Sequence, residues 1–228
     1  TGTGTAAYSG GVTLVAESRI GAANASDRLT LSRVLNGGGK ALSISGNGTV
    51  VLAGGVSDAD SIKQQATSTL DLGSNQTVTT RFGQDYQGIV SGTNVTLTST
   101  QGGSIVADRA GNDFTGRVTA FGQNVTLRDA NDLSLAASVT GDLVTTTGQS
   151  LRLEGSVTGN LVTTSQALVL GATSVGGAAQ FNAGGAVTQD GDLHVSGLTA
   201  LNAAGQAVTI DRAGNDFTGR VTAFGQNV

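Results

Sequence analysis

Apolar and polar residues alternate along this chain in short bursts that never lengthen into a helical pattern. In Asn124-Val125-Thr126-Leu127 and Ser150-Leu151-Arg152-Leu153 every second residue is apolar, the mark of a half-buried strand. Gly, Asn, Asp or Ser separates one burst from the next, as turns require. No stretch keeps an apolar spacing near 3.6 residues for long enough to make a helix. One interruption, 56–66 (VSDADSIKQQA), breaks the alternation and reads as a protruding loop or a short helix.

The bursts recur with a fixed shift. Leu133, Leu135, Val139 and Leu143 are followed 18 residues later by Leu151, Leu153, Val157 and Leu161. Leu168, Leu170 and Val175 continue the series, with a one-residue adjustment nearby. Strands this short cannot stand alone, and a sandwich wants longer ones joined by hairpins. A coil that closes after 18–25 residues and stacks on its copy is the economical solution. Each strand then pairs in parallel with its equivalent one coil away, at about 4.8 Å. Val139, Val157 and Val175 should point inward as one column, with Thr, Ser, Arg and Gln facing outward.

A longer repeat encloses these coils. Residues 108–125 (DRAGNDFTGRVTAFGQNV) and 211–228 are identical at all 18 positions, an offset of 103 residues. Divided at 118, 143, 161, 179 and 199, one unit holds five coils of 25, 18, 18, 20 and 22 residues. The identical segments should then nearly superimpose after a translation of about five strand spacings plus some twist. Residues 1–117 read as irregular coils of the same kind, 118–220 as the five-coil unit and 221–228 as the start of the next. Asp85-Tyr86-Gln87-Gly88 parallels Asp113-Phe114-Thr115-Gly116, and Ala7-Tyr8-Ser9-Gly10 is a weaker relative. The fold expected is all-β: a parallel β-helix (β-solenoid) of about eleven short coils, a rod roughly 50 Å long.

Composition narrows the class further. Glycine supplies 36 of 228 residues, and Pro, Cys, Met and Trp are absent. Glycine without proline excludes collagen and proline-rich disorder, and a chain made of central strands has reason to avoid a residue that removes a ladder hydrogen bond. At 38% hydrophobic and 12% charged the chain can bury a core. The net charge is −4 and the only lysines are Lys40 and Lys63, so there is no electrostatic footprint for nucleic acid or an anionic membrane. Lack of cysteine fits a reduced compartment, and equally a chain that crosses membranes unfolded. No apolar run approaches 18 residues and no signal peptide is visible. The chain opens TGTGTAAY without Met and stops inside a repeat, so it reads as a piece of something longer.

Three features resemble a known family. The Asn112-Asp113-Phe114-Thr115-Gly116-Arg117-Val118 segment, the turn at 157–164 (VTGNLVTT) and the run at 184–193 (GGAVTQDGDL) are similar to repeats of filamentous-haemagglutinin-like exoproteins, adhesins exported by two-partner secretion. The start at 8–14 (YSGGVTL) also resembles strand repeats of autotransporter passengers. The resemblance covers residues 85–228 well and 1–84 loosely. It implies a right-handed β-helix, an outer-membrane transporter as partner during export, and a secreted or cell-surface location on a Gram-negative bacterium. It also implies roles in attachment and biofilm, and it brings no catalytic residues, cofactor or metal site.

The residues offer few chemical sites. His194, the one histidine, could join Asp190 or Asp192 as an acid–base pair, but alternation makes it an outward residue between Leu193 and Val195. Paired carboxylates could cleave a polysaccharide. The nearest pairs are Asp129 with Asp132, Asp108 with Asp113, and Asp58 with Asp60, and aspartate is also an ordinary turn residue. Asp108 and Asp113 recur as Asp211 and Asp216, a duplication more natural to structure than to an active site. Calcium could bind at such corners, although the Gly-Gly-x-Gly-x-Asp repeat is missing. Asn36-Gly37-Gly38-Gly39-Lys40 lacks phosphate-loop spacing and reads as a turn. Thr145 to Thr147 with Thr163 and Thr164 could form an outward threonine array of the ice-binding kind. Phe114 with Phe217, and Phe121 with Phe224, hold equivalent repeat positions, which suggests packing or a surface for stacking sugars.

The function expected is therefore non-enzymatic: a stalk segment of a large adhesin, contacting exopolysaccharide or a host or neighbouring cell surface, with no nucleic acid and no membrane insertion. A carbohydrate-active β-helix enzyme and a self-assembling surface-layer or fibre protein are the alternatives.

Overall fold

A computed structural model describes residues 4–226. Its strands are short because Gly, Asn and Asp break the alternation every few residues, and each pairs with its counterpart in the next coil. The strands sort into three parallel sheets. The first has six strands, from Thr5–Tyr8 to Asp113–Thr115. The second has twelve, from Val12–Thr13 to Asp216–Phe217, and the third has eleven, from Ser18–Ala22 to Val221–Gln226. Eleven coils thus stack into a β-solenoid, and no helix occurs among the described residues.

The cross-section changes part-way. Up to Asp113–Thr115 each coil contributes a strand to all three sheets. Beyond it the second-sheet strands lengthen, as Leu133–Val139, Ser150–Val157 and Ala167–Val175, and the first sheet ends. These are the 18-residue coils, with Leu143 opposite Leu161 and Leu161 opposite Ala179 in the third sheet. A long strand must bend to stay on so tight a coil. It bends at Gly155, where φ is +123° and a Cβ would collide with the Ala137 carbonyl oxygen. Pairing with the next strand slips between Leu153 and Gly155, so Leu153 faces Leu170 while Val157 faces Val175. That bulge is the one-residue adjustment visible in the sequence.

One apolar cluster runs through the rod from Leu14 to Val208. Val139, Val157, Val175 and Val195 follow one another in register, each at most 3% exposed. Some of the polar side chains in the interior bond backbone carbonyls and N–H groups there. Asn112 accepts from Val90 N at 2.9 Å and donates to the carbonyls of Ala107 and Arg128. Gln84 donates to the carbonyls of Val78 and Thr98 and accepts from the Tyr86 hydroxyl at 3.0 Å. Burial of the Tyr86 phenol, with no charged partner, pushes its pKa upward.

Two expectations are corrected. The 56–66 stretch is neither loop nor helix: it contains the strands Val56–Ala59 and Ile62–Gln64. Val56, Ala59, Ile62 and Gln64 face inward, where the Gln64 amide nitrogen donates to the carbonyls of Ser68 (2.8 Å) and Ile89 (3.0 Å) while its Oε1 is left without a partner. The inward glutamine, and Asp58 in a left-handed conformation (φ +49°), hide the alternation.

The identical segments also fail to superimpose by translation along the rod with sheet twist alone, because they lie on different sheets. Asp113–Thr115 lies in the first sheet and Asp216–Phe217 in the second, while Arg117–Gly122 lies in the second and Val221–Gln226 in the third. Five coils in the third sheet lead from Val125 to Val221, which is 96 residues (125 to 221) against the 103-residue offset. The surplus of seven is one face of the coil. Residues 227–228, the end of the second copy, lie outside the described residues.

Candidate functional site

The candidate acids are engaged singly and do not converge. Asp190 pairs with Arg152, and Asp192 accepts from Arg212 Nε at 2.8 Å, so neither is bonded to His194. The imidazole points outward between Ser174 and Asp216 in the neighbouring coils. Asp58 is held by Arg81 at 2.9 Å, and Asp132 accepts from Ser150 N at 2.8 Å. Asp113 accepts from Asn131, whereas its repeat Asp216 stands beside His194 on another sheet; Asp108 and Asp211 are exposed.

Asp129 alone is buried, at 2% exposure. Its two oxygens accept from the backbone N–H of Phe114 (2.6 Å) and of Asn131 (2.8 Å), closing the corner where the first sheet ends. Burial raises its pKa from the ordinary aspartate value; the two N–H bonds oppose that shift, and nearby Asp113 and Asp132 add to it.

The remaining candidates separate by face. Gly38 N donates to the Asn36 side chain at 2.9 Å and Lys40 N to the Gly37 carbonyl at 2.8 Å, which makes 36–40 a turn. The threonine array does not form. Thr145 and Thr163 share the phase of Leu143 and Leu161, so they point inward and are fully buried, and Val144 takes an outward place. Phe114 is core, Phe217 is half-buried, and Phe121 (41% exposed) and Phe224 stand on the surface. Among the described residues no three His, Cys, Asp or Glu side chains gather to hold a metal ion.

Two surface clefts depend on coil stacking and could not be located from local sequence. One is a polar cleft on the first sheet, where Asp71, Ser91 and Asp113 follow one another in register. Asp71 there is tied to Arg28 (3.1 Å) and accepts from Gly73 N (2.8 Å). The other is a groove of about 400 Å³ on the second sheet. Its floor is made of small residues, Ala136, Ala137, Gly155 and Ala172, where the long strands bend. Phe121 and Ser138 line one side. On the other, Glu154 joins Arg117 and Arg152, and Arg152 reaches on to Asp190. Two cations and two anions balance there.

Fold and surface together define a β-solenoid repeat protein whose chemistry lies along its flanks. Residues 158–224 match a family described as "Repeats of unknown function (DUF5649)", and over that span the chain is similar to that family. No curated protein and no solved structure matches the chain.

Proposed function

We propose that this chain is a stalk segment of a large bacterial surface adhesin, a spacer that holds other parts of the protein away from the cell and has no catalytic role. The observation that carries the reading is the uninterrupted interior: one apolar cluster and in-register parallel ladders running through the coils. Bending such a rod would require stretching ladder hydrogen bonds and opening a close-packed core, so the fold suits reach and stiffness. The resemblance of the 112–118, 157–164 and 184–193 segments to exported adhesin repeats supports a cell-surface location, and the lack of cysteine suits passage through an outer-membrane transporter.

An in-frame deletion of 118–220 from the full-length protein tests the proposal. Attachment of the bacteria to a surface under flow should fall, and an unrelated β-solenoid of equal length inserted at the junction should restore it. Unchanged attachment after deletion would overturn the stalk reading, and so would failure of the unrelated rod to restore it.

A further inference from the structure

We infer that the second sheet carries a binding track for an extended, neutral polysaccharide, running along the rod from Phe121 to His194. Outward residues of successive coils follow one another there in strict register. Phe121 faces Ser138, Ser138 faces Ser156, Ser156 faces Ser174, and Ser174 faces His194. All five are exposed, and none of their side chains makes a hydrogen bond within the protein among the described residues. Three free hydroxyls and an imidazole therefore stand one per coil, at about 4.8 Å intervals, beginning at an aromatic face. That interval is close to the length of one pyranose unit in an extended glycan. Consecutive sugars would each meet one hydroxyl, while Phe121 stacks against the apolar face of a ring.

The groove beside the Phe121 and Ser138 end of the track favours the same occupant. Its floor of Ala136, Ala137, Gly155 and Ala172 lets a flat ring approach the backbone closely. The charges on its far wall are consumed by one another, Arg117 with Glu154 and Arg152 with Asp190, so the track exerts no net pull on an anionic chain. Serine hydroxyls both donate and accept, as sugar hydroxyls do, and pair with them without desolvating a charge.

This deepens the adhesive reading without depending on the stalk test, because it is measured on the isolated chain. Calorimetric titration with cellohexaose, a neutral and extended β-1,4 glycan, should show binding. Phe121→Ala, which removes an exposed ring, should weaken binding about tenfold, a typical loss for one stacked contact. Ser156→Val, which keeps the strand and deletes the central hydroxyl, should weaken it as well. Phe224→Ala on the third sheet should leave it unchanged, with all three variants keeping the parental circular dichroism. The inference is overturned if cellohexaose does not bind, if Phe121→Ala and Ser156→Val bind as well as the parent, if Phe224→Ala weakens binding as much as Phe121→Ala, or if only acidic polygalacturonate binds.

Discussion

Replacing Val157 with aspartate asks the interior column a direct question. Val157 is 3% exposed and stacks between Val139 and Val175. Among the described residues no Lys, Arg or His is buried, so a carboxylate there meets no cation. The strand cannot turn the new side chain outward without slipping one residue, which would bury Ser156 and Thr158 and expose Leu151 and Leu153. Losing the valine forfeits roughly 1.5–3 kcal/mol of burial. An unpaired charge inside adds a penalty of the order of 3–5 kcal/mol when it stays ionised. Part of the penalty is escaped by protonation, because burial raises the pKa of the introduced carboxyl. The net loss expected at neutral pH is therefore about 4 kcal/mol or more, and it should shrink as pH falls through that raised pKa. Val157→Ala separates volume from charge: two methyl groups lost, about 2 kcal/mol, with no pH dependence. Thr158→Asp, exposed one residue along, should stay within about 0.5 kcal/mol. Urea unfolding followed by circular dichroism reads all three, and hydrogen exchange at 139–175 shows whether the rod opens locally. Equal effects at 157 and 158, or a Val157→Asp loss that ignores pH, would refute the inward and outward assignment.

Other consequences are as accessible. The Thr163 hydroxyl is buried without a hydrogen-bond partner, so Thr163→Val should stabilise the rod by about 1 kcal/mol in the same unfolding assay, and a loss of stability would count against it. For Asp129 the folded pKa lies above the unfolded one. Its contribution is therefore fully present below the ordinary carboxylate range and is lost as pH rises through the raised value. The stability of the parent minus that of Asp129→Asn should accordingly fall as pH rises from about 4, and a difference that grows with pH would show that the N–H bonds from Phe114 and Asn131 outweigh burial. The face of the second repeat copy can be read by cross-linking, since the chain has no cysteine of its own. Asn202→Cys with Phe224→Cys should oxidise to a disulfide because the two positions are paired in the third sheet, and His194→Cys with Phe224→Cys should not; the reverse result would return Phe224 to the face of Phe121.

The coil and its core were legible because side-chain alternation and the 18-residue shift act together. Once Val139, Val157 and Val175 fall in phase, parallel in-register stacking leaves no other place for them. The same rule, followed strictly, would have placed Thr145 inward, two residues from Leu143; the expectation of an outward array came from the usual preference of threonine. The 56–66 strands are masked because Gln64 faces inward, and the two carbonyls that its amide nitrogen bonds lie outside the stretch, one of them 25 residues away. On the surface, Ser138, Ser156 and Ser174 share the coil period and could have been aligned from sequence. The pairing of Arg117 with Glu154 spans two coils and depends on how far side chains reach across the bend at Gly155, which no periodicity encodes.

The duplicated segment shows how local and global instructions divide in this fold. Part of its corner is the same in both copies: Asn112 N bonds the Arg109 carbonyl and Asn215 N that of Arg212, and each asparagine oxygen accepts an N–H from 22 residues earlier, Val90 in one case and Leu193 in the other. The amide nitrogens differ, Asn112 donating to the carbonyls of Ala107 and Arg128 and Asn215 to the Gln189 side chain. Identical residues thus rebuild the backbone bonds of this corner, yet on different sheets. The related aromatic motifs behave alike, with Tyr86 in the third sheet, Phe114 in the first and Phe217 in the second. These bonds reach only the neighbouring coils, so the motif carries no information about azimuth. The face is decided by the lengths of the intervening coils, and their remainder of seven residues sets the rotation. Sequence identity here specifies a strand and its corner, while the direction in which the strand's outward residues point is a property of the winding.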